Sequence, residues 1–475
     1  MLFCSISFMI FFAVLLCVYW SLPWQRVRVW LLVAASFYFY ATWNKWLAVI
    51  LCISTFVDYL LALAIERSPT SRRRKLFLCV SLFANLGLLC YFKYTNFFLL
   101  SLDEVLIAAG TPTWFRSLQV IVPIGISFYT FEAINYMVDV YQGRMKAERS
   151  FVDFLLFILF FPHLVSGPIV RARDFLPQIK RTKHCDWVRL HLGLQYFLMG
   201  LFKKLAIADR MAQFADPVFD HALDYQTPAA WIALFAYAMQ VYCDFSGYTD
   251  MAIGTAHMLG YKLAENFNMP YLAANIAEFW NRWHMSLSSW LRDYVFIPLG
   301  GSRGGEWKVG RNLIVTMTIC GLWHGAAWQF VGFGFLQAWL LIVHRAFRRW
   351  CKYKPRLDGI LRSQLGTVVR VAFTFVCFCL SLVVFRSSTF SSALDMYTRL
   401  LMAAPEAKTT PVPEFGFWLT AVVMLMGHLL GRSGVWIRPA LRLPAPMLGF
   451  SYAVLFGLAL LLEPQGAKPF IYFQF

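Results

Sequence analysis

Long apolar runs alternate with short polar loops along most of this chain. The runs cover residues 3–20, 29–42, 46–65, 76–100 and 118–140. A shorter apolar piece, 151–165, ends at "SGP"; 192–208 and 229–242 follow. Then come 313–331 and 334–343, joined near "GFG", and finally 371–385, 415–430 and 447–462. An α-helix of about 20 apolar residues crosses a hydrocarbon core of roughly 30 Å. The pattern therefore predicts an all-α, polytopic integral membrane protein with roughly ten to twelve spans. The shortest pieces read equally as spans or as re-entrant segments.

The loops predict an orientation. Arg26 and Arg28 follow the first run, and "RSPTSRRRK" follows the third. Arg144, Lys146 and Arg149 follow the fifth. The second loop has only Lys45, and the fourth sets Asp103 and Glu104 against Arg116. Basic loops stay in the cytoplasm, so the N-terminus is expected outside and the odd loops in the cytoplasm. The opening "MLFCSISFMIFFAVLLCVYW" lacks a basic stretch and a small-residue cleavage site, so it reads as a membrane helix, not a removed signal.

Composition agrees with the pattern. Hydrophobic residues make up 59% and charged residues 14%. The net charge of +18 would suggest nucleic acid in a soluble chain. Here it follows from basic cytoplasmic loops, and no domain-sized polar region exists to bind nucleic acid. Eleven cysteines include no C-x-x-C pair and lie mostly in apolar runs, where cysteine serves as a small hydrophobe. No internal repeat or composition break divides the chain, so 1–475 is expected to form one membrane-embedded domain, with 240–345 as its catalytic core.

Residues 244–311 fit neither a span nor an ordinary loop. Phe279, Trp283, Leu287, Trp290 and Tyr294 follow helical spacing and predict one amphipathic helix with an aromatic face. Such a helix suits the membrane interface or a funnel sunk into it. "PLGGSRGG" then breaks it.

Candidate chemistry begins with "CGLWHGAAWQF". From 312 to 343 there is no Asp, Glu, Lys or Arg, and His324 is the one group able to change charge near neutral pH. A helix starting near Leu313 would put it about 17 Å along, near mid-membrane. Such a histidine reads as a hydrogen-bonded tie between helices or as a proton acceptor facing a wet cavity. Gly321 and Gly325 flank it as a small-xxx-small pair that admits another backbone or a thin substrate. His284, in "EFWNRWHMSLSSWLRDY", is the second candidate, and His163, in "FFPHLVSGP", ranks third. Trp283, Trp323, Gly321, Gly325, Asp244 and Arg282 are candidate substrate contacts. Asp244 and Asp250 read either as headgroup-level carboxylates or as groups orienting a histidine. "RARDFLPQIKRTK" reads as an ordinary cytoplasmic basic loop or as a contact for donor phosphates. No Walker A, G-x-S-x-G or H-E-x-x-H pattern occurs, and no spacing suits a metal.

These stretches, with "VPIGISFYTFEAINYMVDVYQG", "YCDFSGYTDMAIG", "ENFNMPY" and the closing "PFIYFQF", resemble the membrane-bound O-acyltransferase family, in particular its alginate O-acetyltransferase-like bacterial branch. The resemblance covers almost the whole chain. It implies a ring of helices around a central funnel, with the family's invariant histidine falling on His324 and its second histidine on His284. It also implies acetyl transfer from a cytosolic thioester, acetyl-CoA or a related donor, which acts as substrate with no bound cofactor. The acetyl group would pass outward, through a periplasmic partner acetyltransferase, to an exopolysaccharide such as alginate or cellulose. Membrane lipids would surround the protein. An imidazole, titrating near pH 6.5, suits removal of a proton from an attacking hydroxyl. Two other readings stay open: an acetyl or glycan transporter without chemistry of its own, and the same fold acting on peptidoglycan or teichoic acid.

Overall fold

The computed structural model describes every residue except 114, 116, 117, 119, 434–442, 465–469 and 472–475. Arg116 and most of the closing "PFIYFQF" therefore lie outside the described residues, with Phe470 and Ile471 inside them. The protein is all-α. Among the described residues the single β-type pairing is an isolated bridge between Tyr225 and Lys408.

Local sequence sets where the helices start. Helix α1 (Ile6–Ser21) is capped by Ser5, whose side chain accepts the Phe8 N–H. Helix α2 is Gln25–Ala41. Helix α3 (Lys45–Arg67) is capped by Asn44, which accepts from the Trp46 and Leu47 N–H groups. Thr70 caps α4 (Ser71–Leu89). These side chains satisfy backbone donors that the helix itself leaves unpaired. A π-helical turn, Cys90–Tyr94, joins α4 to α5 (Thr95–Ala108). Helices α6 (Ile126–Tyr141), α7 (Phe151–Leu159), α8 (Phe161–Leu164) and α9 (Ala172–Lys180) follow. Helices α10 (Trp187–Phe202), α11 (Asp209–Asp220) and α12 (Thr227–Met258) come next.

The middle of the chain holds the short helices α13 (Ile276–Trp280) and α14 (Met285–Leu291). After them come α15 (Glu306–His324), α16 (Trp328–Cys351), α17 (Pro355–Arg362), α18 (Gln364–Arg386), α19 (Phe390–Leu401) and α20 (Phe415–Ser433). The last described helix is Ala445–Leu461.

Among the described residues, five helical stretches are long and apolar enough to cross a membrane: Lys45–Arg67, Ser71–Ala108, Trp328–Cys351, Gln364–Arg386 and Phe415–Arg432. Ile6–Ser21 and Ala445–Leu461 are shorter apolar helices. Their outer faces carry exposed Phe83, Phe373, Val422 and Phe450, as lipid-facing helices do. The protein is thus a multi-pass membrane protein. Its eleven cysteines form no disulfide.

The chain forms two compact units. One contains Met1–Phe197 and Met251–Ala264; the other contains Leu198–Asp250 and Glu265–Phe475. In the first, a cluster of phenylalanines builds the core. The Phe8 ring stacks on Phe12 at 5.9 Å, and Phe161 meets Phe39 at 5.5 Å. A buried polar cluster links α3 and α4, where Ser81 and Asn85 donate to the Asp58 carboxylate at 2.6–3.0 Å. In the second unit α15 and α16 form a tight hairpin. A Cβ on Gly321 would lie 2.0 Å from the Phe330 carbonyl oxygen, and one on Gly334 would lie 2.2 Å from that of Met317. These two glycines let the backbones touch.

Four expectations change. The piece 151–165 breaks at Phe160, ahead of Pro162, because proline cannot extend α7. The run 229–242 is only the first half of α12, which continues for 32 residues through Asp244 and Asp250. The break in 313–343 falls at 325–327, not at "GFG", since Gly332 and Gly334 lie inside α16. The single amphipathic helix over 279–294 is two short helices with a kink between them. Of its aromatic face, Phe279, Trp283, Leu287 and Trp290 are buried and Tyr294 is half-buried.

Candidate active site

The kink sits on His284. Its backbone is left-handed, with φ 44° and ψ 53°, a conformation costing an L-residue about 1–2 kcal/mol. A clasp from residues 266–268 holds it there. Met285 N–H donates to the Asn266 carbonyl at 2.9 Å, and Asn268 N–H donates to the Arg282 carbonyl at 2.9 Å. The Asn266 side chain completes the clasp. Its Oδ1 accepts from Ser286 N–H at 3.1 Å and Ser286 Oγ at 2.8 Å, and lies 3.2 Å from His284 Nδ1.

An oxygen that already accepts two hydrogen bonds can only accept from the ring too. The proton therefore sits on Nδ1, and Nε2 carries the lone pair. Nε2 is buried without a hydrogen-bond partner among the described residues. The ring itself is fully buried, edge-on to Phe245 at 4.7 Å and to Trp323 at 5.6 Å. The site thus holds a bare imidazole acceptor of fixed tautomer.

His324 packs against the same Trp323. It is the last residue of α15, not a mid-helix residue, and it is 5% exposed. Its ring lies edge-on to Trp323 at 5.0 Å and to Phe385 at 5.3 Å. Trp323 therefore contacts both histidines, which ties together two residues 40 positions apart in the numbering. The helix of His324 ends because Gly325 is extended, with φ −159° and ψ 152°.

The remaining candidates take other places. A Cβ on Gly325 would fall 2.1 Å from Phe330 Cε2, so its open side is filled by that ring; the space beside Gly321 is filled by α16 backbone. Trp283 is buried among Phe279 (5.5 Å), Phe378 (5.4 Å) and Phe267 (5.1 Å). Arg282 is occupied by Glu278 at 2.8 Å and by the Asn268 carbonyl at 3.2 Å. Asp244 neither reaches headgroup water nor orients a histidine. It is buried, 2.8 Å from Lys204 Nζ, and accepts the Ile471 N–H at 2.7 Å. Lys204 also meets Asp209 at 2.7 Å. Asp250 pairs with Lys203 at 2.6 Å.

Sequence reasoning missed three parts of this arrangement. Asn266 lay in the quoted "ENFNMPY" but had no spacing to mark it as the partner of His284. His428 on α20 is buried, with Nδ1 3.0 Å from the Met424 carbonyl and its ring stacked on Tyr271 at 5.4 Å. The C-terminal contact engages Phe470, which stacks on Tyr248 at 4.6 Å and lies 6.1 Å from Phe245. In the first unit, His163 is also buried. Its Nδ1 lies 3.0 Å from Glu132 Oε1, an oxygen that also accepts the Val170 N–H at 2.9 Å. Among the described residues no cluster of His, Cys, Asp or Glu could hold a metal ion.

Comparison with known proteins gives the family. Residues 31–387 match the membrane-bound O-acyltransferase family. The "Probable alginate O-acetylase AlgI" of Azotobacter vinelandii is 39% identical over 404 residues, covering 84% of this chain and 78% of that protein. The "Peptidoglycan O-acetyltransferase" of Helicobacter pylori is 38% identical over 399 residues, covering 78% of this chain and 72% of that one. The "Teichoic acid D-alanyltransferase" of Bacillus subtilis is 31% identical over 264 residues, covering 54% and 67%. With both histidines of the resemblance buried against one tryptophan, and the match running through α2 to α18, this chain belongs to the membrane-bound O-acyltransferase family as a membrane-embedded, acyl-transferring enzyme.

Proposed function

We propose that this protein takes acetyl from a cytosolic thioester, acetyl-CoA or a related donor, and passes it across the bacterial inner membrane for O-acetylation of an exopolysaccharide, alginate or a similar polymer. The whole chain works as one catalytic domain with 240–345 at its centre, and its N-terminus faces the periplasm. The observation that carries the reading is the pair of buried histidines packed against one tryptophan, Trp323.

His324 acts as general base. It takes the proton of the acceptor hydroxyl as that oxygen attacks the thioester carbonyl. The tetrahedral adduct then expels the thiolate, which recovers the proton from the imidazolium and leaves as a thiol. His284 positions or polarises the donor or the acceptor beside the reacting atoms, and the Asn266 clasp fixes its ring. Trp323 fixes the angle between the two rings. A periplasmic partner acetyltransferase receives the acetyl group and completes delivery to the polymer.

The test replaces His324 and His284 separately with Gln and measures polymer acetylation at equal membrane abundance. Each variant is expected to lose at least a hundredfold, since general acid–base catalysis contributes about 10²–10⁴. Near-normal acetylation in the His324 variant would sink the assignment. Purified protein with labelled acetyl-CoA separates enzyme from carrier: thioester cleavage that depends on His324 supports transfer, and binding without turnover supports transport.

Peptidoglycan is a second reading for the acceptor. The Helicobacter pylori relative is nearly as similar to this chain as the Azotobacter one. Mass spectrometry of surface polymers from a deletion strain decides it by showing which polymer loses acetyl groups.

A further inference from the structure

Lys183 lies in the loop between α9 and α10, within the first unit, and the acyl transfer gives it no role. The loop is built to hold it. Its N–H donates to Gln25 Oε1 at 3.3 Å, and its carbonyl accepts from Arg28 Nη1 at 2.8 Å. Its alkyl stem packs on Gly260, where φ is +83° and a Cβ would fall 3.3 Å from Lys183 Cδ. The ammonium lies 4.4 Å from the centre of the Tyr261 ring. The residue is only 8% exposed.

Yet among the described residues Nζ has no carboxylate and no hydrogen-bond acceptor. Its charged neighbours have its own sign. Burial, then Arg189 and Arg181, push its pKa down to about 8 from the ordinary 10.5. Arg189 donates to the Gly260 carbonyl at 3.1 Å, and its nearest carboxylate, Asp186, stands 3.8 Å off in a half-exposed pair. Arg28 spends its guanidinium on two backbone carbonyls and on the faces of Tyr19 and Trp20. A buried ammonium is costly unless paired, and a tyrosine face offsets only part of that cost. A lysine pinned among arginines with no counter-charge describes the receiving half of an anion site.

We propose that Lys183, with Arg181 and Arg189, binds a phosphate group, and that its source is the headgroup of an anionic phospholipid. Three donors of this kind match phosphate oxygens. The surroundings favour a lipid over a soluble phosphate. Trp24, next to Gln25, is 65% exposed, and Trp187, four residues past Lys183, is 70% exposed. Exposed indoles belong at headgroup level. Basic clusters beside membrane helices on the cytoplasmic face recruit anionic lipids. The proposal is independent of the transfer chemistry.

Protein purified in neutral detergent is titrated with phosphatidylglycerol, with phosphatidylcholine and with inorganic phosphate, reading bound ligand by native mass spectrometry and stability by melting temperature. Phosphatidylglycerol is expected to bind and raise the melting temperature, with phosphatidylcholine well behind. Lys183→Gln should weaken phosphatidylglycerol binding by about tenfold, the value of one charge-assisted contact. Removing an unpaired buried charge does not endanger folding, and exposed Arg181→Gln provides a second, milder variant. Equal phosphatidylglycerol binding in wild type and Lys183→Gln, or no preference between the two lipids, would overturn the proposal. A Lys183-dependent shift with inorganic phosphate alone would refute the lipid source and assign the site to a soluble phosphate.

Discussion

Replacing Gly325 with alanine puts a methyl carbon 2.1 Å from Phe330 Cε2 and 2.3 Å from Cδ2. Ordinary carbon contacts begin near 3.4 Å, so the ring must retreat by about 1.3 Å. It has little room. Phe330 is buried and lies edge-on to Phe385 at 5.1 Å, and Phe385 in turn is edge-on to His324 at 5.3 Å. Overpacking of this kind costs about 1–3 kcal/mol. The extended backbone at Gly325 adds no strain, so the whole effect is steric. Gly325→Ala is expected to lower the melting temperature and to cut acetylation by tenfold or more, through displacement of Phe385 against His324. Because the blocking group is a side chain, Gly325→Ala with Phe330→Leu should recover much of both. Gly321→Ala meets the Phe330 carbonyl instead and should not be rescued by the same change. Melting of purified protein and acetylation at equal abundance report the two effects. If Gly325 instead leaves room for the thioester, the double variant stays inactive while its stability returns; that result would refute the packing argument. So would an alanine variant indistinguishable from wild type.

Asn266→Ala should remove the acceptor shared by three buried donors, His284 Nδ1–H, Ser286 N–H and Ser286 Oγ–H, at about 1–3 kcal/mol for each left unsatisfied, and free the imidazole to change tautomer. A drop in melting temperature with a fall in kcat exceeding any rise in donor KM is the expected signature; unchanged kcat would count against the clasp. His284→Asn should keep the fold, because asparagine accepts the left-handed backbone, while His284→Ala should melt lower, and both should lose acetylation. Lys204→Met leaves Asp209 and Asp244 facing each other uncompensated and should cost about 3–5 kcal/mol, with Asp244→Asn costing less; the reverse order in chemical denaturation would contradict the triad. Lys183 has a pKa of about 8 in the folded protein against 10.5 for an ordinary lysine, so the unfolded chain binds its proton more tightly. The penalty is fully present below pH 8 and fades as pH rises towards 10.5. Lys183→Met should therefore outlast wild type at pH 7 in lipid-free detergent, with the gap closing by pH 10; a gap independent of pH would refute the shift.

The membrane character was legible because lipid contact demands apolar residues over the full length of a helix, and α3, α18 and α20 satisfy that without help from the rest of the chain. His324 and His284 were legible as chemical outliers in such surroundings. What stayed hidden depends on contacts distant in sequence. The break after His324 is invisible to hydropathy, since "GAAW" is as apolar as its flanks; it comes from the extended backbone at Gly325 and the Phe330 ring beside it. The kink at His284 needs Asn266, 18 residues upstream. Asp244 looked like a helix-end carboxylate because its run seemed to stop there. Its partner Lys204 lies on a π-helical turn, Lys203–Ala208, outside any pattern that helical spacing would pair with it.

The bond from Ile471 to Asp244 spans 227 residues and bears on biogenesis. A ribosome adds residues at about 5–20 per second, so the carboxylate at 244 is made well before its backbone partner. Through that interval Lys204 alone must keep Asp244 paired, while also serving Asp209, as α13 to α20 enter the bilayer. The second unit can complete this contact only after Phe470 and Ile471 leave the exit tunnel. A ribosome stalled short of position 470 would leave the spans inserted and this last contact unmade.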